Sequence, residues 1–269
     1  MTRSHVSTLT DMNESDKEWG IIIQARTGST RLPQKMILPF CNGKGIFELL
    51  LARLTTHFAK RLKIVVATTT ATGDDIIANI ASRSGATPFR GSESDVLGRF
   101  IAAAEQNAIS RIIRICADNP FLDMDSIDRL IETMDDNALT DYVTFAKSDG
   151  TPAMKTHYGF WAEAVKRTAL ERAAAMSDAP IYHEHVTNYI YTHPAHFKLE
   201  LLPIPDVLDH NGRLRLTIDT KDDFEISSKI YHKLTESGKQ ITINNVVHTV
   251  DEVPTCYAEM ERQIKKNTK

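Results

Sequence analysis

Within the first 150 residues, short unbroken apolar runs alternate with segments whose apolar residues fall three and four apart, and that alternation leaves few folds open. Ile21, Ile22 and Ile23, within residues 20–25, form a β-branched run with no polar interruption, the pattern of a strand buried on both faces of a parallel sheet. Residues 46–58 carry Phe47, Leu50, Leu51 and Leu54 at amphipathic-helix spacing. Residues 62–68 (LKIVVAT) repeat the buried-strand pattern, and Asp74 and Asp75 open a helix that Gly85 should end. An extended piece at 87–90, a helix at 94–107, a strand at 111–117, a helix at 123–134 and an extended piece at 141–146 complete a β-α-β-α-β-α-β-α-β series. The expected fold is α/β: three layers, α/β/α, around a mostly parallel mixed sheet with helices on both faces.

After Gly150 the rhythm loosens. Residues 157–161 and 197–202 read as extended, 163–175 and 182–192 as helical, 213–218 as an alternating strand and 222–237 as a helix. No internal repeat is visible. The chain reads as one domain over 19–269, with a second-half insertion at 151–212 and a closing segment at 213–269. Residues 1–18, rich in Ser, Thr, Asp and Glu and without an apolar h-region, read as a frayed tail, neither signal peptide nor anchor. No apolar run approaches the ~20 residues that span a bilayer. The three cysteines, Cys41, Cys116 and Cys256, form no CxxC pair and suggest reduced, buried thiols in a cytoplasmic protein.

Lys and Arg number 32 against 35 Asp and Glu, a formal charge of -3, so nucleic-acid binding has no basic excess behind it. Affinity for phosphate must come from local clustering, and one cluster stands out. From Trp19 to Phe47 there is no Asp or Glu, while Arg26, Arg31, Lys35 and Lys44 all fall there. Ligands of open α/β sheets bind beyond the C-terminal strand ends, which is where Gln24-Ala25-Arg26-Thr27-Gly28-Ser29-Thr30-Arg31-Leu32-Pro33-Gln34-Lys35 would lie. Gly28, Ser29 and Thr30 let backbone N–H groups approach phosphate oxygens, and the arginines add forked permanent cations. The segment is not a Walker A loop, since GxxxxGK[ST] is absent. A solvated basic turn is the plainer alternative.

A triphosphate site needs a divalent cation, Mg2+ or Mn2+, held by one or two carboxylates. Asp118 follows the strand at 111–117, and Asp219 follows the one expected at 213–218. Each alone also reads as a helix cap; together with the loop they read as a metal pair. Asp123 and Asp125 form a DxD pattern, used for metal by glycosyltransferases, but at a helix start capping explains them better. His183 and His185, two apart on an expected helix, point to different faces and do not suggest zinc.

The motifs IIIQARTGSTRLPQK, GKG, ATTT, FRGSESDVLGRF, ADNPFLD, EHVTNYI and LTIDTKDDFE, in that order, resemble the cytidylyltransferase family, which includes acylneuraminate and 3-deoxy-manno-octulosonate cytidylyltransferases. The spore coat polysaccharide branch, with QAR in the loop, is the most similar. The resemblance spans residues 20–237 and implies a fold like that of the nucleotide-diphospho-sugar transferases, with a nucleotide-binding half at 19–150 and an acceptor and dimerisation region at 151–212. It implies transfer of CMP from CTP to a sugar acid or a phosphorylated small molecule, with release of pyrophosphate, for a surface polysaccharide or capsule. Arg26, Arg31 and Lys35 would neutralise the triphosphate, and Asp118 and Asp219 would hold the metal. Gln24, Ala25, Gly28, Ser29, Thr30, Thr68, Arg90 and Ser92 would contact the nucleotide, and Asp95 and Arg99 would line that wall or brace it. The resemblance also implies a homodimer joined through an arm in the second half, with Tyr158, Phe160 and Trp161 as candidates for the contact.

The sequence also departs from the family pattern. Gln34 stands where the family loop has glycine, and GFWAEAV and HEHVTNY replace the family's GLDVEVF and REHVTPY. These changes point to a changed acceptor, with Lys155, His157, Glu163, His183, Glu184 and His185 as its candidate contacts. A glycosyltransferase using Asp123 and Asp125 on a nucleotide sugar is the alternative enzyme, but it needs less positive charge than this loop carries. A non-catalytic interaction module is the third reading.

Overall fold

The computed structural model describes residues 18–267. Of the tail expected at 1–18, only Glu18 falls among them. Among the described residues, seven strands form one sheet: β1 (Trp19–Gln24), β2 (Lys63–Thr69), β3 (Thr87–Gly91), β4 (Arg111–Cys116), β5 (Tyr142–Ala146), β6 (Glu163–Lys166) and β7 (Leu199–Pro203), in the order β3-β2-β1-β4-β6-β5-β7. Every pairing is parallel except those of β6, which runs antiparallel between β4 and β5.

The isoleucine run explains the layering. Successive strand residues point to opposite faces, so Ile21 and Ile23 enter one apolar cluster and Ile22 the other. The first cluster is closed by α1 (Ile46–Phe58), α2 (Asp75–Arg83) and α4 (Met124–Asp136). The second is closed by α3 (Val96–Gln106) and α5 (Arg167–Met176), with α6 (Pro180–Glu184) and α7 (Asn188–Thr192) following along the same side. A short α8 (Asp206–Asp209) precedes three C-terminal helices, α9 (Lys221–Glu236), α10 (Ile243–Asp251) and α11 (Pro254–Asn267), which extend the first cluster. The expected three-layer α/β/α architecture is the one observed. Gly85 ends α2 in the left-handed region at φ +79, as its position suggested.

The second half differs from expectation in several places. Residues 163–175 are not one helix: Glu163–Lys166 form β6, and the helix starts at Arg167. No breaker separates the two in sequence, and a buried glutamate gives no strand signal. Residues 157–161 form no strand, and 182–192 divide into α6 and α7 around His185, Val186 and Thr187. Residues 213–218 alternate in sequence but join no ladder among the described residues. Leu214, Leu216 and Ile218 face the core while Arg215, Thr217 and Asp219 line a cleft, so the alternation records two environments rather than strand pairing. Tyr158, Phe160 and Trp161, offered as a subunit contact, lie in the core at 4%, 0% and 4% exposure and cannot supply one.

Candidate active site

The basic loop leaves β1 at the C-terminal edge of the sheet and is pinned from beneath. Asp74, expected only to open α2, accepts from the backbone N and the hydroxyl of Thr27, both at 2.7 Å, and from the hydroxyl of Thr69. Burial opposes ionisation of Asp74, but those hydrogen bonds outweigh it and hold its carboxyl below the usual carboxylate range. The loop turns back at Gln34, which sits at φ +58 and whose N–H donates to the Thr27 carbonyl. A glycine would adopt that conformation without strain. Gly45 closes the turn where its α-carbon packs on the backbone of Met36 and Ile37; a Cβ there would lie 2.6 Å from the Met36 carbonyl oxygen.

Arg31 and Lys35 project from this loop onto the two acids singled out by sequence. Lys35 Nζ, nearly buried, donates to Asp118 Oδ2 at 2.8 Å and to the Ile218 carbonyl at 2.6 Å. Arg31 Nη2 donates to Asp219 Oδ1 at 2.6 Å. Asp219 does not cap α9; Thr220 does, in a reciprocal capping box with Asp223. Arg31, Asp118 and Asp219 share a cleft of about 670 Å3 with Lys155, His157 and His185, so phosphate-side and acceptor-side candidates meet in one cavity.

Other candidates lie around this cleft. Arg26 faces Glu93 at 3.9 Å and Glu184 at 4.0 Å, which puts Glu184 beside the loop. Ala25 is buried, and beside Gly28 the nearest neighbouring atom to a notional Cβ is 3.7 Å away, leaving space at the loop backbone with Ser29 and Thr30 following. Thr68 is buried on β2, and among the described residues its hydroxyl has no hydrogen-bond partner. Arg90 is spent on structure: it donates to the carbonyls of Thr69 and Ala71 at 2.9 and 2.7 Å and pairs with Asp75. The Ser92 hydroxyl accepts from the backbone N of Asp95. Asp95 caps α3 by accepting from Gly98, and Arg99 is buried with its guanidinium on the Ser92 carbonyl, so both brace this wall. Burial pushes the Arg99 pKa down.

His183 stands outside the cleft lining. Its Nδ1 lies 2.8 Å from Asp95 Oδ1 and its Nε2 3.1 Å from the Ser177 carbonyl, two acceptors that favour the doubly protonated ring. The hydrogen bond to Asp95 raises its pKa, over a smaller opposing effect of burial. Glu163 is wholly buried and is not part of the cleft lining; it accepts from Arg114, its cross-strand neighbour, from the Tyr142 hydroxyl and from Thr187 at 2.8 Å.

Two arginines were missed by sequence reading. Arg114, beside Glu163, reaches the cleft lining and donates to Gln24 Oε1 at 3.3 Å. Arg215, also in the cleft lining, bonds Asp219 and Asp223. The signal for both was an arginine inside an apolar alternation, in RIIRICA and LRLTID, where a charge survives burial only if paired. Cys116 also lines the cleft; burial pushes its thiol up to about 11, so it is no thiolate nucleophile.

The family model described as cytidylyltransferase matches residues 20–247. The chain belongs to the cytidylyltransferase family. It is accordingly a nucleotidyltransferase. Among curated proteins, it is 34% identical over 246 residues to the spore coat polysaccharide biosynthesis protein SpsF of Bacillus subtilis, covering 89% of this chain and 97% of the relative. A cytidylyltransferase from Leptospira borgpetersenii superposes with a TM-score of 0.76 at 27% identity, over 89% of this chain and 96% of that one. A CMP:2-keto-3-deoxy-manno-octonic acid synthetase solved with CTP shares the fold at a TM-score of 0.61 and 15% identity, over 80% of this chain and 99% of that one. Within this cytidylyltransferase the DxD pair has another use: Asp123 caps α4, its carboxylate accepting from Ser126 N at 3.0 Å. Among the described residues, no helix is long and apolar enough to cross a membrane.

Proposed function

We propose that the chain transfers CMP from CTP to a sugar acid or a phosphorylated small molecule, releasing pyrophosphate, in the synthesis of a surface polysaccharide. The observation that carries this reading is the convergence of Arg31 and Lys35 on Asp219 and Asp118 in the cleft that also holds Lys155, His157 and His185. The similarity to the spore coat polysaccharide protein supports the pathway class.

The reaction needs an acceptor oxygen in line with the α-phosphorus and charge stabilisation on the leaving pyrophosphate, more than covalent chemistry. Arg26, Arg31 and Lys35 supply the cations, and the backbone around Gly28 the close N–H approach. Lys35 is fixed by the Ile218 carbonyl and Asp118, so its charge is in place before substrate arrives. Asp118 and Asp219 offer hard carboxylate oxygens on one cavity, a donor set that fits Mg2+ or Mn2+ once triphosphate oxygens complete it. Such an ion would neutralise the triphosphate and polarise its phosphoryl oxygens. Lys155, His157 and His185 face the acceptor, with Lys155 Nζ 5.3 Å from the centre of the Tyr191 ring.

Thermal unfolding with CTP, UTP, ATP or GTP, with and without Mg2+, tests the reading without knowledge of the acceptor. Ligand at ~100 times its dissociation constant adds ~2.7 kcal/mol. The expected result is a shift for CTP that Mg2+ enlarges. No preference for CTP, or no shift at all, overturns the assignment.

A further inference from the structure

Arg215 sits where the two walls of the cleft join. Its side chain is 1% exposed, and its guanidinium serves three partners: Asp223 through Nε at 2.7 Å and Nη2 at 3.0 Å, Asp219 through Nη2 at 2.9 Å, and His157 Nδ1 through Nη1 at 2.8 Å. The segments bearing the pair are also tied by backbone. The His157 carbonyl accepts from the N–H groups of Leu216 and Thr217 at 2.8 and 3.2 Å. Gly159, at φ +69, lets the chain pass so close that a Cβ would lie 3.3 Å from Leu216 C and Thr217 N. Ring and guanidinium therefore meet on a fixed frame rather than through one mobile contact.

A guanidinium offers only donors and keeps its proton throughout the physiological range. The contact with His157 then has a single chemical meaning: Nδ1 is the acceptor and its lone pair is engaged by Arg215. The state of one ring nitrogen sets that of the other, so the proton of the neutral ring resides on Nε2. A second proton would have to sit on Nδ1, facing the N–H of Arg215 Nη1 at 2.8 Å. The acids Asp219 and Asp223 are both engaged by Arg215. Burying such an ion pair gains little stability over an apolar replacement, so stability alone does not account for Arg215.

We propose that Arg215 is a positioning residue for the transfer reaction of the preceding section, on which the inference rests. It orients Asp219 on the metal side, and on the acceptor side it locks His157 as the Nε2–H tautomer. His157 is then a hydrogen-bond donor to the acceptor, not the base that removes its proton. Glutamine can reproduce this arrangement, its amide oxygen accepting from Arg215 and its NH2 donating onward; alanine cannot.

The decisive measurement is a long-range 1H–15N spectrum of the full chain at neutral pH, with the His157 signals assigned by their loss in His157→Gln. The expected spectrum shows an unprotonated Nδ1 and a protonated Nε2. A protonated Nδ1, whether in the other tautomer or in an imidazolium, overturns the proposal. Arg215→Lys should give a mixture of tautomers and weaken Mn2+ binding in the presence of CTP by ~10-fold. If that variant does not fold, the wild-type spectrum still decides. Pyrophosphate release is then measured against a panel of sugar acids and phosphomonoesters. His157→Gln should keep turnover within ~10-fold of wild type while His157→Ala loses more than ~100-fold; equal losses overturn the donor role. The thermal-shift series separates the two readings. A CTP-specific shift with the wrong tautomer removes only the Arg215–His157 lock, whereas the right tautomer without nucleotide preference removes the reaction and with it the donor role.

Discussion

The two walls of the cleft are built on different physical terms. On the nucleotide side, parallel strands carry no chemistry themselves; the charged side chains sit on loops beyond their ends, and the loop is held by backbone contacts at Thr27, Gln34 and Gly45. On the acceptor side, charges lie inside the fold, with Arg114 on Glu163 and Arg215 on Asp223, each pair almost wholly buried. The first arrangement keeps stability and chemistry in separate residues. The second makes the same residues serve both, so substitutions there should first be felt as stability.

The largest expected effect tests that division directly. Glu163→Gln keeps the shape but leaves Arg114 without its counter-charge, and should cost about 3–5 kcal/mol in urea denaturation. A loss under about 1 kcal/mol would put the two walls on equal terms. Asp118→Asn, on the other wall, should weigh the other way: roughly 100-fold or more of metal-dependent turnover lost with a smaller loss of stability than Glu163→Gln, because Asp118 is 29% exposed and Lys35 keeps the Ile218 carbonyl. Turnover retained at the wild-type Mg2+ requirement would remove Asp118 from the site.

Two loop substitutions sharpen the picture. Gly45→Ala forces a Cβ against the Met36 carbonyl oxygen and should destabilise by about 1–3 kcal/mol. Gln34→Gly relieves a left-handed side-chain residue at some cost in chain entropy and should leave stability unchanged or raise it by up to ~1 kcal/mol. A clear loss would mean that the Gln34 side chain, not its backbone, serves the loop.

The smallest effect concerns the contact between His183 and Asp95. Because the folded pKa of His183 is raised, its contribution is full below the unfolded value of about 6.5 and fades as pH rises through the folded value. Stability measured from pH 6 to 9 should show a shallow decline that His183→Ala abolishes; an unchanged profile in the variant would assign the decline to another group.

What was legible in the sequence follows the same division. The isoleucine run, the helix from Ile46 to Phe58 and the basic loop could be placed because periodicity and local charge report directly on environment in a parallel sheet. Glu163 reads in sequence as part of a helix and as an acceptor contact, because its buried strand position depends on Arg114, 49 residues away. Arg215, a charge within an apolar alternation, looks in sequence like the solvent side of a strand, and only tertiary structure shows it turned onto Asp223 and His157. The aromatic trio at 158–161 was assigned to the surface although it fills the core, a distinction that hydrophobicity alone does not make.

The antiparallel β6 has a consequence for how the chain acquires its structure. It separates β4 from β5, so the β5–β7 pair joins the rest of the sheet only through a strand made some 50 residues after β4. The first four strands can assemble by near-neighbour pairing, but the outer pair must wait for the seam to close, a loop closure whose entropy is lost before its contacts form. Amide exchange should therefore divide along that seam, with β5 and β7 opening together while β1, β2 and β4 remain protected. The β5–β7 pair is thus expected to order after the inner strands and to open before them.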